Sequence, residues 1–237
     1  MGVQAPLKAG TVRFPLAVEA VVIDLDGTLI HTAPDIATAI NRMLADLQLP
    51  PIDEVLVQTY IGNGITQLIK RVLTRDMDAE PDAELFARAK AIYPPHYAAV
   101  FRMCSHPFPD VMEGMEALKN AGYRLACITN KLEKYTVPLL KDTGLYDYFE
   151  LILSGDTLPK MKPDPLPLLH ACEYFGITPD QMLLIGDSLN DAQAARAAGC
   201  HVFCVPYGYN HGRHVSEIDT DAVVNGLLDA SRLIVRA

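Results

Sequence analysis

The run Ala20-Val21-Val22-Ile23-Asp24-Leu25-Asp26-Gly27-Thr28-Leu29 decides the fold of this 237-residue chain. Its first four residues are apolar without alternation, which suits a short strand buried on both faces of a parallel sheet. Asp24 and Asp26 then stand two residues apart at the strand end, where both can face one crevice, and Gly27 allows a sharp turn. Ligands of such sheets bind outside the C-terminal ends of the strands, so the residues after each strand are the ones to read for chemistry.

Downstream, Pro34-Asp35 open a helix whose Ile36, Ile40, Met43, Leu44 and Leu47 follow the helical period, and Pro50-Pro51 end it. Helical pattern continues over 53–60, 65–73 and 82–100 with no good strand between. After His106-Pro107 the pattern alternates. Helices are expected over 112–120, 133–141, 165–175 and 191–198, and strands over 124–128, 150–153, 182–185 and 201–205. A short strand and a last helix fall within 221–235. This alternation predicts an α/β fold, a Rossmann-like parallel sheet with helices on both faces. The expected division is an N-terminal leader over 1–16, a core over 17–30 and 104–237, and an inserted α-helical cap domain over 31–103.

Half of the residues are hydrophobic, so the chain can bury a full core; its net charge is -9. No basic stripe is available for nucleic acid or anionic lipid. No apolar run reaches the roughly 18 residues of a membrane helix. Met1–Arg13 lacks the apolar segment of a secretory signal. Cys104, Cys127, Cys172, Cys200 and Cys204 are odd in number and scattered, which points to buried thiols in a reduced, cytoplasmic setting. Cys200, His201 and Cys204 have a conceivable metal spacing but read better as core, and His211 with His214 reads as a surface loop. His96, His106 and His170 stand singly and read as structural. Lys70, Arg71, Arg88 and Arg102 are candidates to steer an anion, although most helix-borne basic residues are simply solvated.

The strand ends bring together Asp24, Asp26 and Thr28, then Thr129-Asn130-Lys131, Ser154-Gly155-Asp156, and Gly186-Asp187-Ser188 with Asp191. So many carboxylates at one edge repel unless a cation is shared or a proton is held. A hard divalent ion with oxygen ligands, Mg²⁺ foremost, resolves the repulsion. One such Asp is commonly a helix N-cap. Two Asp-rich strand ends, a Thr-Asn end and a downstream Lys together argue for a site.

Asp24-x-Asp26-Gly27-Thr28, Thr129-Asn130, Lys162-Pro163 and Gly186-Asp187-Ser188-x-x-Asp191 resemble, in order, the four motifs of the haloacid dehalogenase-like superfamily. The resemblance implies that Asp24 attacks a phosphoryl group and forms an aspartyl-phosphate, and that Asp26 is the acid/base. It also implies that Asp24, Asp187 and the Asp26 carbonyl hold Mg²⁺. Thr129 and Asn130 would bond the phosphoryl oxygens, and Lys162 would balance charge. Asp191 and Ser188 would support the site from behind, or Asp191 would be an auxiliary ligand. Lys160, the rival to Lys162, does not precede a proline and reads as solvated. The presence of Asp26 marks a phosphatase and not a dehalogenase.

Longer strings are similar to the phosphoglycolate phosphatase branch: Ala33-Pro34-Asp35, Ile61-Gly62-Asn63-Gly64, Gly155-Asp156-Thr157-Leu158-Pro159 and Tyr207-Gly208-Tyr209-Asn210. His31 departs from the Asp usual there, and Ile23 from the usual Phe; His31 is expected at the cap hinge. Gly62-Asn63-Gly64 precedes a helix, whose N-terminus can take an anion such as a substrate carboxylate. The substrate expected is a small phosphorylated metabolite, 2-phosphoglycolate foremost, with another small-molecule or sugar phosphate as the alternative. A receiver-like phospho-acceptor module is the different-class rival. The expected assembly is a monomer or homodimer.

Overall fold

The structure, a computed structural model, describes residues 13–237. Most of the expected leader lies outside the described residues. In chain order the strands and helices are β1 (Leu16–Val18), β2 (Ala20–Ile23), β3 (Ile30–His31), α1 (Ala33–Asp46), α2 (Glu54–Tyr60), α3 (Gly64–Thr74) and α4 (Ala83–Val100). There follow β4 (His106–Pro107), α5 (Val111–Asn120), β5 (Arg124–Ile128), α6 (Glu133–Asp142), β6 (Leu151–Leu153) and α7 (Leu166–Phe175). The chain closes with β7 (Met182–Gly186), α8 (Leu189–Ala198), β8 (His201–Cys204), β9 (Ala222–Val223), α9 (Leu227–Arg232) and β10 (Ile234–Arg236).

Six strands form one parallel sheet in the order β6-β5-β2-β7-β8-β9. β2 is central and all four of its residues are buried, as its unbroken apolar run requires. Alternate residues feed opposite layers. Val21 and Ile23 pack with Val111 and Met115 of α5, Leu139 of α6 and Leu227 of α9. Ala20 and Val22 pack with Leu168 of α7 and Ala192 and Ala195 of α8.

Sequence reading placed β2 but missed the strand before it. The apolar stretch from Ala17 to Ile23 is broken at Glu19, and β1 pairs in parallel with β10 in a sheet of its own. Glu19 still links the sheets, since its N–H donates to the Gln181 carbonyl and its carbonyl accepts from Arg124. β3 and β4 were also missed. Each has two residues, too few to carry a period, and they pair antiparallel with His31 opposite His106.

Between β3 and β4 the chain forms α1–α4, which build an apolar cluster from Ile36, Ile40, Met43 and Leu44 of α1, Val57 of α2, Ile69 and Val72 of α3, and Tyr93 and Tyr97 of α4. Tyr135 and Tyr209, from outside the block, join that cluster. Among the described residues, no helix is long and apolar enough to cross a membrane.

Candidate active site

In the sheet register, Ile23 lies between Cys127 of β5 and Ile185 of β7. The next residues of those three strands therefore emerge at one edge: Asp24, then Thr129 past Ile128, then Asp187 past Gly186. Ten of the residues singled out in the sequence line a single pocket there: Asp24, Asp26, Thr129, Asn130, Lys162, Asp187, Ser188, Asp191, Gly62 and Gly64; Asn63, Thr28 and the Ser154-Gly155-Asp156 strand end do not.

Lys162 stands at the centre. It is buried, with Nζ 2.7 Å from Asp24 Oδ1 and 2.6 Å from Asp191 Oδ1. Asp24 Oδ2 has no hydrogen-bond partner among the described residues. Asp191 Oδ2 accepts from the Ser188 N–H at 3.1 Å and hydroxyl at 2.7 Å, the capping box that starts α8. The helix-cap reading of the motif thus applies to Ser188 and Asp191, and not to Asp24 or Asp187. Asp187 accepts from the Thr28 hydroxyl at 3.1 Å and from the Tyr209 N–H. Asp26 stands apart from this cluster. Its Oδ1 accepts from the Thr32 hydroxyl at 2.7 Å, and Lys131 Nζ lies 3.0 and 3.2 Å from its two oxygens.

Burial pushes the Asp24 carboxyl up to about 7, with Lys162 opposing the rise and Asp191 adding to it. Burial, followed by the charges of Asp191 and Asp24, pushes Asp187 well above the usual carboxylate range. For Lys162, burial pulls the ammonium down, but Asp191 and Asp24 outweigh it and hold it above its ordinary value. Among the described residues, Asp24, Asp26, Asp187 and Asp191 face only two ammonium groups, Lys131 and Lys162, which leaves two formal negative charges unmatched there. Oxygens of Asp24, Asp187 and Asp191 all lie within 4.8 Å of one another. Buried hard oxygen donors with an excess of two negative charges fit a divalent metal ion.

Glycines make the crowding possible. A Cβ at Gly186 would overlap Asp191, and a Cβ at Gly208 would overlap Asp187. Both positions must therefore lack a side chain for the two acids to sit where they do. Gly64, at φ +75°, starts α3, whose N-cap Asn63 makes no side-chain cap bond. Asn63 Nδ2 instead donates to Asn190 Oδ1 at 2.8 Å.

Asn130 Nδ2 donates to the carbonyls of Gly62 and Lys162, both at 2.8 Å, so both amide protons are spent on joining the glycine loop to the Lys162 segment. The Thr129 hydroxyl oxygen accepts from the Lys131 N–H at 3.2 Å, which leaves its proton free to donate. Sequence reasoning named Lys131 at a strand end but assigned it no task; its place directly after Thr129-Asn130 was the available signal. Tyr93, Tyr97 and Tyr135 also line the pocket. At i, i+4 on α4, Tyr93 and Tyr97 look in the sequence like ordinary core residues, and Lys131 Nζ lies 5.1 Å from the Tyr97 ring centre.

Of the weaker candidates, Cys200 and Cys204 are buried free thiols, and His201 pairs with Asp221. His211 reaches the Thr59 carbonyl of α2 at 2.9 Å, while His214 caps a local turn. His96 pairs with Asp46, Arg102 with Asp142, Lys70 with Glu80 and Lys160 with Asp164, all at the surface. Arg71 is buried and donates to the Tyr60 and Met77 carbonyls, a structural task. His106 stacks on His31, edge to face, with ring centroids 5.4 Å apart.

The family model described as haloacid dehalogenase-like hydrolase matches residues 18–199. A phosphoglycolate phosphatase of Thiobacillus denitrificans is 63% identical over 94% of this chain and 99% of its own length. One of Nitrosospira multiformis is 56% identical over 95% and 99%. The crystal structure of a predicted phosphoglycolate phosphatase from Haemophilus somnus superposes with a TM-score of 0.84 at 37% identity, covering 90% of this chain and 96% of that one.

Proposed function

This chain belongs to the haloacid dehalogenase-like hydrolases, and from that premise we propose that it is a Mg²⁺-dependent phosphatase whose substrate is 2-phosphoglycolate. The observation that carries the reading is Asp24 itself: a buried carboxylate with Lys162 on one oxygen and the other oxygen unpartnered in the pocket. Oδ2 attacks phosphorus, the bond to the leaving alkoxide oxygen breaks, and an aspartyl-phosphate forms on Asp24. Asp26, oriented by Thr32 and Lys131, donates the proton to the alkoxide and then takes one from the water that attacks the intermediate.

A bound Mg²⁺ supplies charge neutralisation at the phosphoryl group; Asp24, Asp187 and the Asp26 main-chain carbonyl would hold it, with Asp191 behind or beside them. The Thr129 hydroxyl donates to a phosphoryl oxygen. Because the Asn130 amide is committed elsewhere, its backbone N–H is the group left to do the same. Lys162 balances the charge between Asp24 and the phosphoryl group. In this reading α1–α4 are a cap over the pocket, and the Gly62-Asn63-Gly64 turn at the N-terminus of α3 receives the substrate carboxylate. The relatives named phosphoglycolate phosphatase support the choice of substrate. We further read the protein as cytoplasmic, where its free thiols stay reduced, and as a monomer or homodimer.

The test is an initial-rate panel of 2-phosphoglycolate, sugar phosphates and p-nitrophenyl phosphate with Mg²⁺. The expected result is the highest kcat/KM for 2-phosphoglycolate, with turnover abolished by EDTA and lowered roughly 10⁴-fold or more by Asp24→Asn. A strong preference for a sugar phosphate overturns the substrate. A single stoichiometric phosphorylation without turnover overturns the mechanism.

A further inference from the structure

Thr32 holds the N-cap position of α1, yet its side chain does not cap the helix, because its hydroxyl donates to Asp26 instead. The first-turn N–H groups of a helix need acceptors, and an uncapped end must find them elsewhere. Here the acceptor arrives from a distant loop. The Tyr209 hydroxyl oxygen accepts from Thr32 N at 3.0 Å and from Ala33 N at 3.1 Å. Both its lone pairs are then engaged, so it must donate its own proton, and His31 Nδ1 lies 2.6 Å away. The Tyr209 backbone N–H donates to Asp187, and the residue is buried.

We propose that Tyr209 is a positioning residue of the phosphatase site, tying the first turn of α1 to Asp187, and that the tie holds only while His31 is uncharged. A protonated His31 carries N–H at both ring nitrogens and offers no acceptor. The Tyr209 oxygen would then face a third incoming donor with no lone pair to give it. The groups that bear on His31 are His106 of β4, Phe108, the Tyr209 ring and Glu54 of α2. Burial, and after it His106, lowers His31 below its ordinary value, while Glu54 opposes weakly. The neutral state therefore prevails near pH 7. Because Thr32 also orients Asp26, release of this turn loosens the acid/base together with the start of the helical block. In the sequence, His31 was a departure from a family pattern, expected at the cap hinge; the structure gives it a partner.

The inference rests on phosphoester hydrolysis and not on the identity of the ester, so it is tested with p-nitrophenyl phosphate at saturating Mg²⁺. Profiles of kcat against pH are compared for the unaltered protein, Tyr209→Phe, His31→Asn and His31→Phe, with thermal midpoints as the fold control. Loss of the phenol should lower kcat about tenfold at pH 8, the scale of one or two lost hydrogen bonds. His31→Asn retains an acceptor that does not titrate. It should stay within about twofold of the unaltered kcat at pH 8 and keep its activity to lower pH. His31→Phe offers no acceptor and should resemble Tyr209→Phe. Protonation of the metal ligands adds an acid limb common to all four proteins, so the difference between profiles is what counts. An unchanged acid limb in His31→Asn, or equal kcat for the Asn and Phe variants, overturns the role of His31. An unaltered kcat in a folded Tyr209→Phe overturns the positioning role, and if that variant does not fold the His31 pair still decides.

Discussion

Asp24 and Asp26 are chemically identical and two residues apart, yet their surroundings differ, as the different tasks proposed for them require. Asp24 lies against Lys162, which is shared with Asp191, so it belongs to the buried charge cluster of the pocket. Asp26 is turned toward Lys131 and Thr32, outside that cluster. The two-residue spacing that put both acids at one strand end says nothing of these partners, which come from positions 32, 131 and 162. Lys131→Met keeps the length of the stem and removes the charge that holds Asp26. With Asp26 the acid/base as proposed, a role that contributes about 10²–10⁴-fold, kcat on 2-phosphoglycolate should fall roughly 10- to 100-fold with a smaller change in KM. Steady-state kinetics checks this, and an unchanged kcat would leave Lys131 a structural cation only.

At the scale of elements, the junction of β7 with α8 does two jobs in one turn. Gly186 ends the strand, Asp187 points into the pocket, and Ser188 with Asp191 caps the helix. The fit depends on the turn after β8, where Gly208 passes against Asp187. Gly208→Ala pushes a methyl group into that carboxylate. With Asp187 a metal ligand as proposed, and supports of such ligands worth about 10- to 100-fold in metal affinity, a loss of that size is expected in a Mg²⁺ titration, with the circular-dichroism spectrum retained. The same scale shows what periodicity conveys. Helices α1 and α3 were legible because their apolar residues recur at the helical spacing. Even α4 was, although Pro94 and Pro95 remove two backbone donors inside it. β1 and β10 were not, because three-residue strands pairing across the whole chain leave no local period.

Across the whole molecule, the charge of -9 is partly a property of one pocket. Two of its negative charges are unmatched by lysine, so a divalent ion should stabilise the fold as well as serve the reaction. The sign of the pH dependence follows from Asp24. Its folded value of about 7 lies above that of an unfolded carboxylate, so the metal-free chain carries a charge penalty that is full above pH 7 and is relieved progressively as pH falls from 7 toward the ordinary carboxylate range. The ion requires the ionised form, so its affinity weakens over the same range, by about tenfold per pH unit for each proton displaced. The gain in thermal midpoint from Mg²⁺ over EDTA should be large at pH 8 and shrink steadily toward pH 5.5. A gain that does not change with pH would remove Asp24 from the ligands.

The sequence by itself determined the α/β architecture, the central strand, and the three strand-end motifs that converge in the pocket with Lys162. These are local properties: an apolar run buries both faces, a helical period makes one face, and a parallel sheet presents its strand ends together. Only the tertiary structure decided that Lys131 serves Asp26, that Asn130 spends its amide on the glycine loop, and that Tyr209 caps a helix it does not belong to. Those pairings join residues 68 to 177 positions apart. A hydrogen bond depends on where atoms meet and not on how far apart they lie along the chain, so no spacing in the sequence could announce them.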